Sequence, residues 1–342
     1  MAGPQAISAC RICGNTQLTM VLDLGVQALT GVFPRSADAE LSSGPIQLLK
    51  CHGTEGSCGL VQLAHDYDLG EMYGDDYGYR SGLNRSMVSH LSAKVAWLTK
   101  RRPLDRGDVV LDIGANDGTT LSQYPADLSL IGIDPTIKKF GHHYPSHITK
   151  VADFFTKETF RSVMPRRKAR IVTSISMFYD LPSPMGFVED VASVLADDGI
   201  WHLEQSYLPS MLKTTGYDTA CHEHVEYYAL TQLRWMTARA GLRITDVELN
   251  DVNGGSFAVT IEKGSGDAPI VDVLLREEEP LASLATWTAF ARDVARHRIE
   301  LPALLEELRE SGAKVLGLGA STKGNVVLQY CGITRDLLPA IA

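Results

Sequence analysis

The densest run of ionisable side chains is Gly216-Tyr217-Asp218-Thr-Ala-Cys221-His222-Glu223-His224-Val-Glu226-Tyr227-Tyr228. Histidines, glutamates and tyrosines packed this closely suit proton transfer, and His suits the role of base because its ordinary pKa lies near working pH. A shared metal is the competing reading. Histidines two apart point the same way only on a strand, and the four-residue helical spacing of zinc hydrolases is absent.

A second group lies near the start of the chain. Four of the six cysteines form two pairs, Cys10-Arg-Ile-Cys13 and Cys51 with Cys58, each pair followed by glycine. Two such turns can present four thiolates to one tetrahedral ion, the arrangement zinc prefers. The second pair is wider than usual, and His52 or His65 stands close enough to replace a cysteine. No βαβ pattern surrounds Cys10 and Cys13, which argues against a redox pair. The residues between the pairs carry no basic cluster. The expectation is therefore a structural Zn2+ in a substrate-facing lobe, not a nucleic-acid-binding ribbon. After it, the Tyr-, Gly- and Asp-rich stretch 72–82 includes Tyr77 and Tyr79. These could stack on a ligand and donate a hydrogen bond, or simply pack in a linker.

These groups need a scaffold, and the middle of the chain reads as one. A helix over 86–101 precedes strands at 109–114, 128–134, 147–151, 170–176 and 199–207, with helical stretches between the longer ones. That alternation implies a mostly parallel sheet covered on both faces. After a helix at 230–240, strands 242–250 and 256–263 are joined by Asp-Val-Asn-Gly-Gly, a hairpin signal. Five parallel-type strands and an antiparallel pair give the pattern of a class I methyltransferase. The fold class expected is α/β: a Rossmann-like seven-stranded core, a small N-terminal zinc-binding lobe and a partial C-terminal α/β region.

The first strand-to-helix turn, with Asp112, Gly114, Asn116 and Gly118, is the expected ligand loop, since ligands of open α/β sheets sit beyond the carboxyl ends of the strands. Its glycines allow close backbone approach. Asp134, ending the second strand, is placed to accept hydrogen bonds from ribose hydroxyls. Asp153 and Phe154, after the third, could offer a polar group and a ring to adenine. The loop lacks the G-x-G-x-x-G spacing of a dinucleotide site, and its acidic character penalises pyrophosphate. It suits S-adenosyl-L-methionine (SAM), which carries a sulfonium and an ammonium but no phosphate.

Residues 269–311 read as helical. Lys314 to Asn325 then reads as a strand, a Gly-rich turn and a helix start, whose amides, hydroxyls and Lys323 suit a phosphate group. Three segments follow: a lobe at 1–85, a SAM-binding core at 86–265 and a C-terminal α/β region at 266–342, expected to be incomplete because one strand–turn–helix unit cannot finish a doubly wound domain.

Composition limits the partners. The 342 residues carry a net charge of −9, which disfavours broad binding to nucleic acid or anionic membrane. No apolar stretch approaches the ~20 residues of a membrane span, and the first residues lack the pattern of a signal peptide. A cytoplasmic protein is expected, with its oligomeric state open.

Taken together, the cysteine pairs, LDLGVQALTGVFP, YGDDYGYRSGLN, LDIGANDG, SISMFYDLPSP, LEQSYLP, CHEHVEYY, NGGS and GASTKGN make the chain resemble the sugar C-methyltransferases of deoxysugar biosynthesis. The resemblance runs nearly end to end. It implies a nucleotide-linked 4-keto-6-deoxysugar as substrate. It also implies His224 as the base that forms an enolate, with Glu223 beside it and Tyr77 or Tyr79 near the enolate oxygen. The position before the His-Glu-His run is Cys221, where some family members carry a polar residue. An O-methyltransferase could use the same cluster, and a catalytically silent SAM-binding scaffold is the reading from another class.

Overall fold

The computed structural model describes residues 3–33, 36, 41–53, 55–72, 78–319 and 321–341. Its packing divides the chain into two units that cut across the sequence order. One gathers Met1–Tyr77, Tyr207–Ala229 and Glu277–Ala342; the other gathers Gly78–Ser206 and Leu230–Arg276.

In chain order the N-terminal strands are β1 (Gln5–Ala6), β2 (Leu18–Ala28), β3 (Ser43–Cys51), β4 (Val61–Leu63) and β5 (His65–Asp66). Those of the central stretch are β6 (Val109–Ile113), β7 (Ser129–Ile133), β8 (Thr149–Val151), β9 (Ala169–Ile175) and β10 (Leu195–Ser206). Then come β11 (Glu226–Tyr227), β12 (Leu242–Asn250) and β13 (Ser256–Lys263).

The second unit holds a seven-stranded sheet in the order β12-β13-β10-β9-β6-β7-β8. Strands β6 to β10 run parallel, while β13 runs antiparallel to β10 and to β12. This is the class I methyltransferase order, so the α/β, Rossmann-like expectation holds. All five residues of β6 are buried, as a central strand covered on both faces requires. The hairpin between β12 and β13 turns through Asn253, Gly254 and Gly255, all at positive φ.

Helix Arg85–Arg101 is capped by Asn84, whose side chain accepts from Ser86 N. It buries Leu91, Lys94, Val95 and Leu98. The last two join Val110, Leu121, Leu130, Ile171 and Ile200 in the core. Lys94 reaches Glu204 of β10 at 3.1 Å, and Glu204 also meets His90 at 2.5 Å and accepts from Asn250 at 3.2 Å. A nearly dry carboxylate is thus surrounded by donors.

The first unit is built around a four-stranded sheet, β11-β4-β3-β2. Its edge strand β11 comes from the stretch that follows β10 in sequence. Helices Leu284–Glu310 and Thr322–Tyr330 belong to this unit, and Tyr217 joins them, its hydroxyl 2.8 Å from His297 Nδ1 and 3.3 Å from Cys331 Sγ. One expectation fails. The stretch 314–319 forms no strand, only a single parallel bridge between Gly317 and Ile341. A strand needs a partner along its length; here Leu316 and Leu318 stay exposed.

Candidate active site

In the second unit, the turn after β6 carries the expected ligand loop. Gly114 and Gly118 sit at φ 70° and 78°, the left-handed region glycine tolerates best. Space reinforces this, since a Cβ on Gly114 would lie 2.7 Å from Met177 and one on Gly118 would lie 2.8 Å from the Tyr144 ring. Asn116, also left-handed, donates its backbone N–H to Asp134 Oδ2 at 2.9 Å. The other oxygen of Asp134 accepts from the Thr136 N–H and hydroxyl, both at 2.6 Å. Asp112 lies deeper, taking a hydrogen bond from Thr173 Oγ1 at 2.5 Å. Burial pushes its carboxyl up to about 7, against the pull of the Thr173 and Thr120 hydroxyls.

Asp153 and Phe154 follow β8 and are exposed. The neighbouring Phe155 turns inward, 5.2 Å from Phe187, which leaves the Phe154 ring at the surface. Tyr79 is half-exposed, and its carbonyl accepts from Asn116 Nδ2 at 3.2 Å. Beside it, Ser81 N donates to Asn116 Oδ1 at 3.0 Å, Gly82 N donates to Asp117 Oδ2 at 3.0 Å, and Arg80 pairs with Asp117 at 3.3 Å. The Tyr79–Gly82 segment is therefore fastened to the glycine turn. Sequence reasoning passed over Asp117 and Arg80; the acid in Asn116-Asp117-Gly118 was their visible signal. Tyr77 lies outside the described residues.

In the first unit, Cys10, Cys13, Cys51 and Cys58 converge, with all four sulfurs within 4.8 Å of one another. Cys10 and Cys58 are 3.4 Å apart, Cys13 and Cys51 3.6 Å. Zinc–sulfur bonds of about 2.3 Å give tetrahedral edges of roughly 3.8 Å, so the four thiols fit a zinc ion. Their crowding raises Cys10 and Cys58 and lowers Cys51. Four thiolates this close need a cation between them. His52 is not a ligand; its Nε2 meets Thr19 Oγ1 at 2.5 Å, and His65 lies outside the cluster.

Arg11, inside the first cysteine turn, donates to Gln62 Oε1 through its backbone at 3.0 Å and to the Leu63 carbonyl through its side chain at 2.7 Å. Strand β4 thus hangs on the metal turn. It pairs in turn with β11, Gln62 opposite Glu226, and Leu63 N donates to the Val225 carbonyl at 2.8 Å. The strand after His224 is therefore tied to the cysteine lobe.

The His-Glu-His run itself is irregular, so its rings diverge. His222 is fully buried. Its Nδ1 accepts from Thr30 N at 3.2 Å, its Nε2 donates to the Gly44 carbonyl at 3.2 Å, and the Tyr67 ring stands edge-on at 4.7 Å. Burial pushes it down to about 4, and a neutral ring with both nitrogens engaged is a structural pin. His224 differs. A carbonyl can only accept, so the 3.0 Å contact to Thr219 O places the proton on Nδ1 and the lone pair on Nε2. Desolvation, helped by the positive charge of Lys323, pushes His224 down to about 4. Glu223 is buried and its carboxyl is raised by that burial, opposed by hydrogen bonds from Cys221 and Thr30. Sequence reasoning missed Thr30, Thr219 and the influence of Lys323. The Thr-Gly pair at 30–31 was visible only as part of a longer motif.

Family models match a zinc binding domain over residues 10–73, a methyltransferase domain over 85–247 and a C-methyltransferase C-terminal domain over 251–342. The C-methyltransferase NovU of Streptomyces niveus is 29% identical over 338 residues, covering 96% of this chain and 79% of that protein. Among solved structures, a SAM-dependent methyltransferase of Clostridium acetobutylicum aligns with a TM-score of 0.42 at 12% identity, over 52% of this chain and 92% of that one. An O-methyltransferase family protein of Burkholderia thailandensis aligns with a TM-score of 0.41 at 15% identity, over 58% of this chain and 64% of that one. With the seven-stranded order and the four-cysteine site in place, the chain is a SAM-dependent methyltransferase that carries a zinc binding domain before its catalytic domain and the C-terminal domain of the C-methyltransferases after it.

Proposed function

We propose that this enzyme methylates carbon, at the position beside the ketone of a nucleotide-linked 4-keto-6-deoxysugar. The observation that carries the reading is the geometry at His224: its Nδ1 lies 3.0 Å from the Thr219 carbonyl, which can only accept, so Nε2 is the nitrogen able to take a proton. A carbon nucleophile has to be made by removing a C–H proton, which a ketone acidifies and a positioned base accepts. The similarity to NovU, named a C-methyltransferase, points the same way.

In this reading His224 Nε2 takes the α-proton and Glu223 holds the adjoining backbone in place. Tyr79, with Tyr77, serves the enolate oxygen as hydrogen-bond donor. SAM, when bound, supplies the methyl group as electrophile. Asp134 and the turn Gly114–Gly118 hold its ribose and amino-acid portions, Asp112 supports that turn from below, and Asp153 and Phe154 flank the adenine. The zinc site holds β4 and β11 and takes no part in the chemistry. The start of helix Thr322–Tyr330, with its N-cap Ser321 and with Lys323, receives the diphosphate of the substrate.

The test is SAM turnover with a panel of thymidine-diphosphate 4-keto-6-deoxysugars, following the methyl by mass spectrometry and the α-hydrogen by NMR in heavy water. Methyl on carbon with loss of the α-hydrogen is the expected result. Methyl on oxygen with the α-hydrogen retained would overturn the reading in favour of an O-methyltransferase.

A further inference from the structure

Thr30 and Gly31 stand between the two cysteine pairs in sequence, yet they touch the His-Glu-His run. Thr30 is fully buried and uses every polar atom it has. Its N–H fills the single lone pair of His222 Nδ1 at 3.2 Å. The hydroxyl proton is therefore directed to Glu223 Oε2 at 3.4 Å, while the hydroxyl oxygen accepts the His222 backbone N–H at 3.4 Å. The Thr30 carbonyl accepts from Asn325 Nδ2 at 2.9 Å. Two residues earlier, Ala28 exchanges a pair of hydrogen bonds with the Gln329 side chain, at 2.8 and 3.3 Å. Asn325 and Gln329 are four apart on helix Thr322–Tyr330 and share one face. Gly31 contributes by being small: a Cβ there would lie 1.3 Å from Glu223 Oε1. The carboxyl occupies the volume any other residue would fill.

We infer that Thr30 and Gly31 are positioning residues for the catalytic run, clamping the Glu223 carboxyl and the His222 tautomer so that His224 is aimed, with helix Thr322–Tyr330 bracing them from behind. This rests on the proposed role of His224 as base. A fully satisfied buried network holds one arrangement, and a displacement of about 1 Å at a reacting group costs about 10²-fold in rate. Neither residue meets the substrate in this scheme; both act through Glu223 and His222.

Thr30→Val keeps shape and removes the hydroxyl, Thr30→Ser keeps the hydroxyl, and Gly31→Ala intrudes on Glu223. Two readouts separate positioning from simple packing. The first needs no substrate: nitrogen-15 shifts report the His222 tautomer, and carbon-13 shifts report the Glu223 carboxyl titration. The second is α-hydrogen wash-out and kcat with the keto-sugar, with SAM affinity as control. Thr30→Val should raise the Glu223 titration above that of the wild type and lower kcat about 10²-fold with SAM affinity unchanged. Thr30→Ser should restore both, and Gly31→Ala should lower kcat to a similar degree. Wild-type Glu223 and His222 spectra in Thr30→Val would overturn the inference, and so would Thr30→Ser being as impaired as Thr30→Val. Absence of wash-out in the wild type would remove the base assignment alone, because the spectra still decide whether Thr30 positions Glu223.

Discussion

The backbone N–H of Asn116 donates to Asp134 Oδ2 at 2.9 Å, so the turn after β6 and the end of β7 are held by one carboxylate. Because Asp134 accepts from Thr136 as well, its removal would leave three donors buried. Asp134→Ala should cost about 1–3 kcal/mol of stability and weaken SAM binding about tenfold or more, since a tenfold change needs only about 1.4 kcal/mol. Urea melts and calorimetric SAM titration check this. Unchanged SAM affinity would remove Asp134 from the cofactor site.

His224→Ala should lower kcat by ~10²–10⁴-fold if the imidazole is the general base, abolish α-hydrogen wash-out and leave SAM affinity intact. A variant with a near-normal rate would sink the assignment.

Acid should reveal the buried histidines. His222 and His224 are pushed down to about 4 and His202 to about 3, in each case by burial. Each takes up a proton more readily when unfolded, so each stabilises the fold fully above pH 6.5 and progressively less as pH falls toward its folded value. Asp112, raised to about 7, and Glu223, raised as well by its burial, act in the opposite sense, two carboxyls against three imidazoles. Net stability to urea should therefore rise from pH 4 to pH 7. A flat or falling profile would contradict the burial of these rings. On the same grounds, the acid limb of kcat/KM should lie below pH 5.

Glu204 offers a sharper test of the core. It is 1% exposed and bonded to His90, Lys94 and Asn250. Glu204→Ala takes one of two carboxylates from Lys94, which keeps Glu248 at 2.8 Å, so the loss should come to about 1–3 kcal/mol, the scale of a hydrogen bond to a charged group. The urea midpoint should fall accordingly; a shift under about 1 kcal/mol would show that water reaches the ion pair.

Chelation should separate the two units. Removing zinc frees the four cysteines, and with them the Arg11 link to β4 and the β4–β11 pairing. Methyl transfer should be lost while SAM binding, which the proposed assignment gives to residues of the other unit, is kept. Simultaneous loss of both would show that the zinc supports the whole chain.

Local pattern made much of this visible in advance. Strands 242–250 and 256–263 form with the bounds that alternation and the Asn-Gly-Gly turn set, because a hairpin is written in neighbouring residues. The cysteine set was legible because its chemistry demands few residue types. The clamp on Glu223 was not: Thr30 and His222 are 192 residues apart, and neither carries a local sign of the other. The divergence of His222 and His224 was hidden too, since it depends on which carbonyls and amides the run meets after folding. The strand expected at 314–319 followed from composition, but a strand is made by its partner.

The tie between β11 and β4 also sets an order of events during synthesis. The cysteine turns leave the ribosome early, but the edge strand of their sheet, the His222 that meets Thr30 and the helix that braces it follow much later, the Thr30–His222 and Ala28–Gln329 contacts spanning 192 and 301 residues. Closing such long loops is slow, so the amino-terminal lobe must wait, incomplete, while the intervening chain is made. Metal captured by Cys10, Cys13, Cys51 and Cys58 in that interval would protect the nascent lobe from aggregation and from oxidation of its thiols. Zinc supply during translation, more than zinc supply afterwards, would then govern the yield of active enzyme.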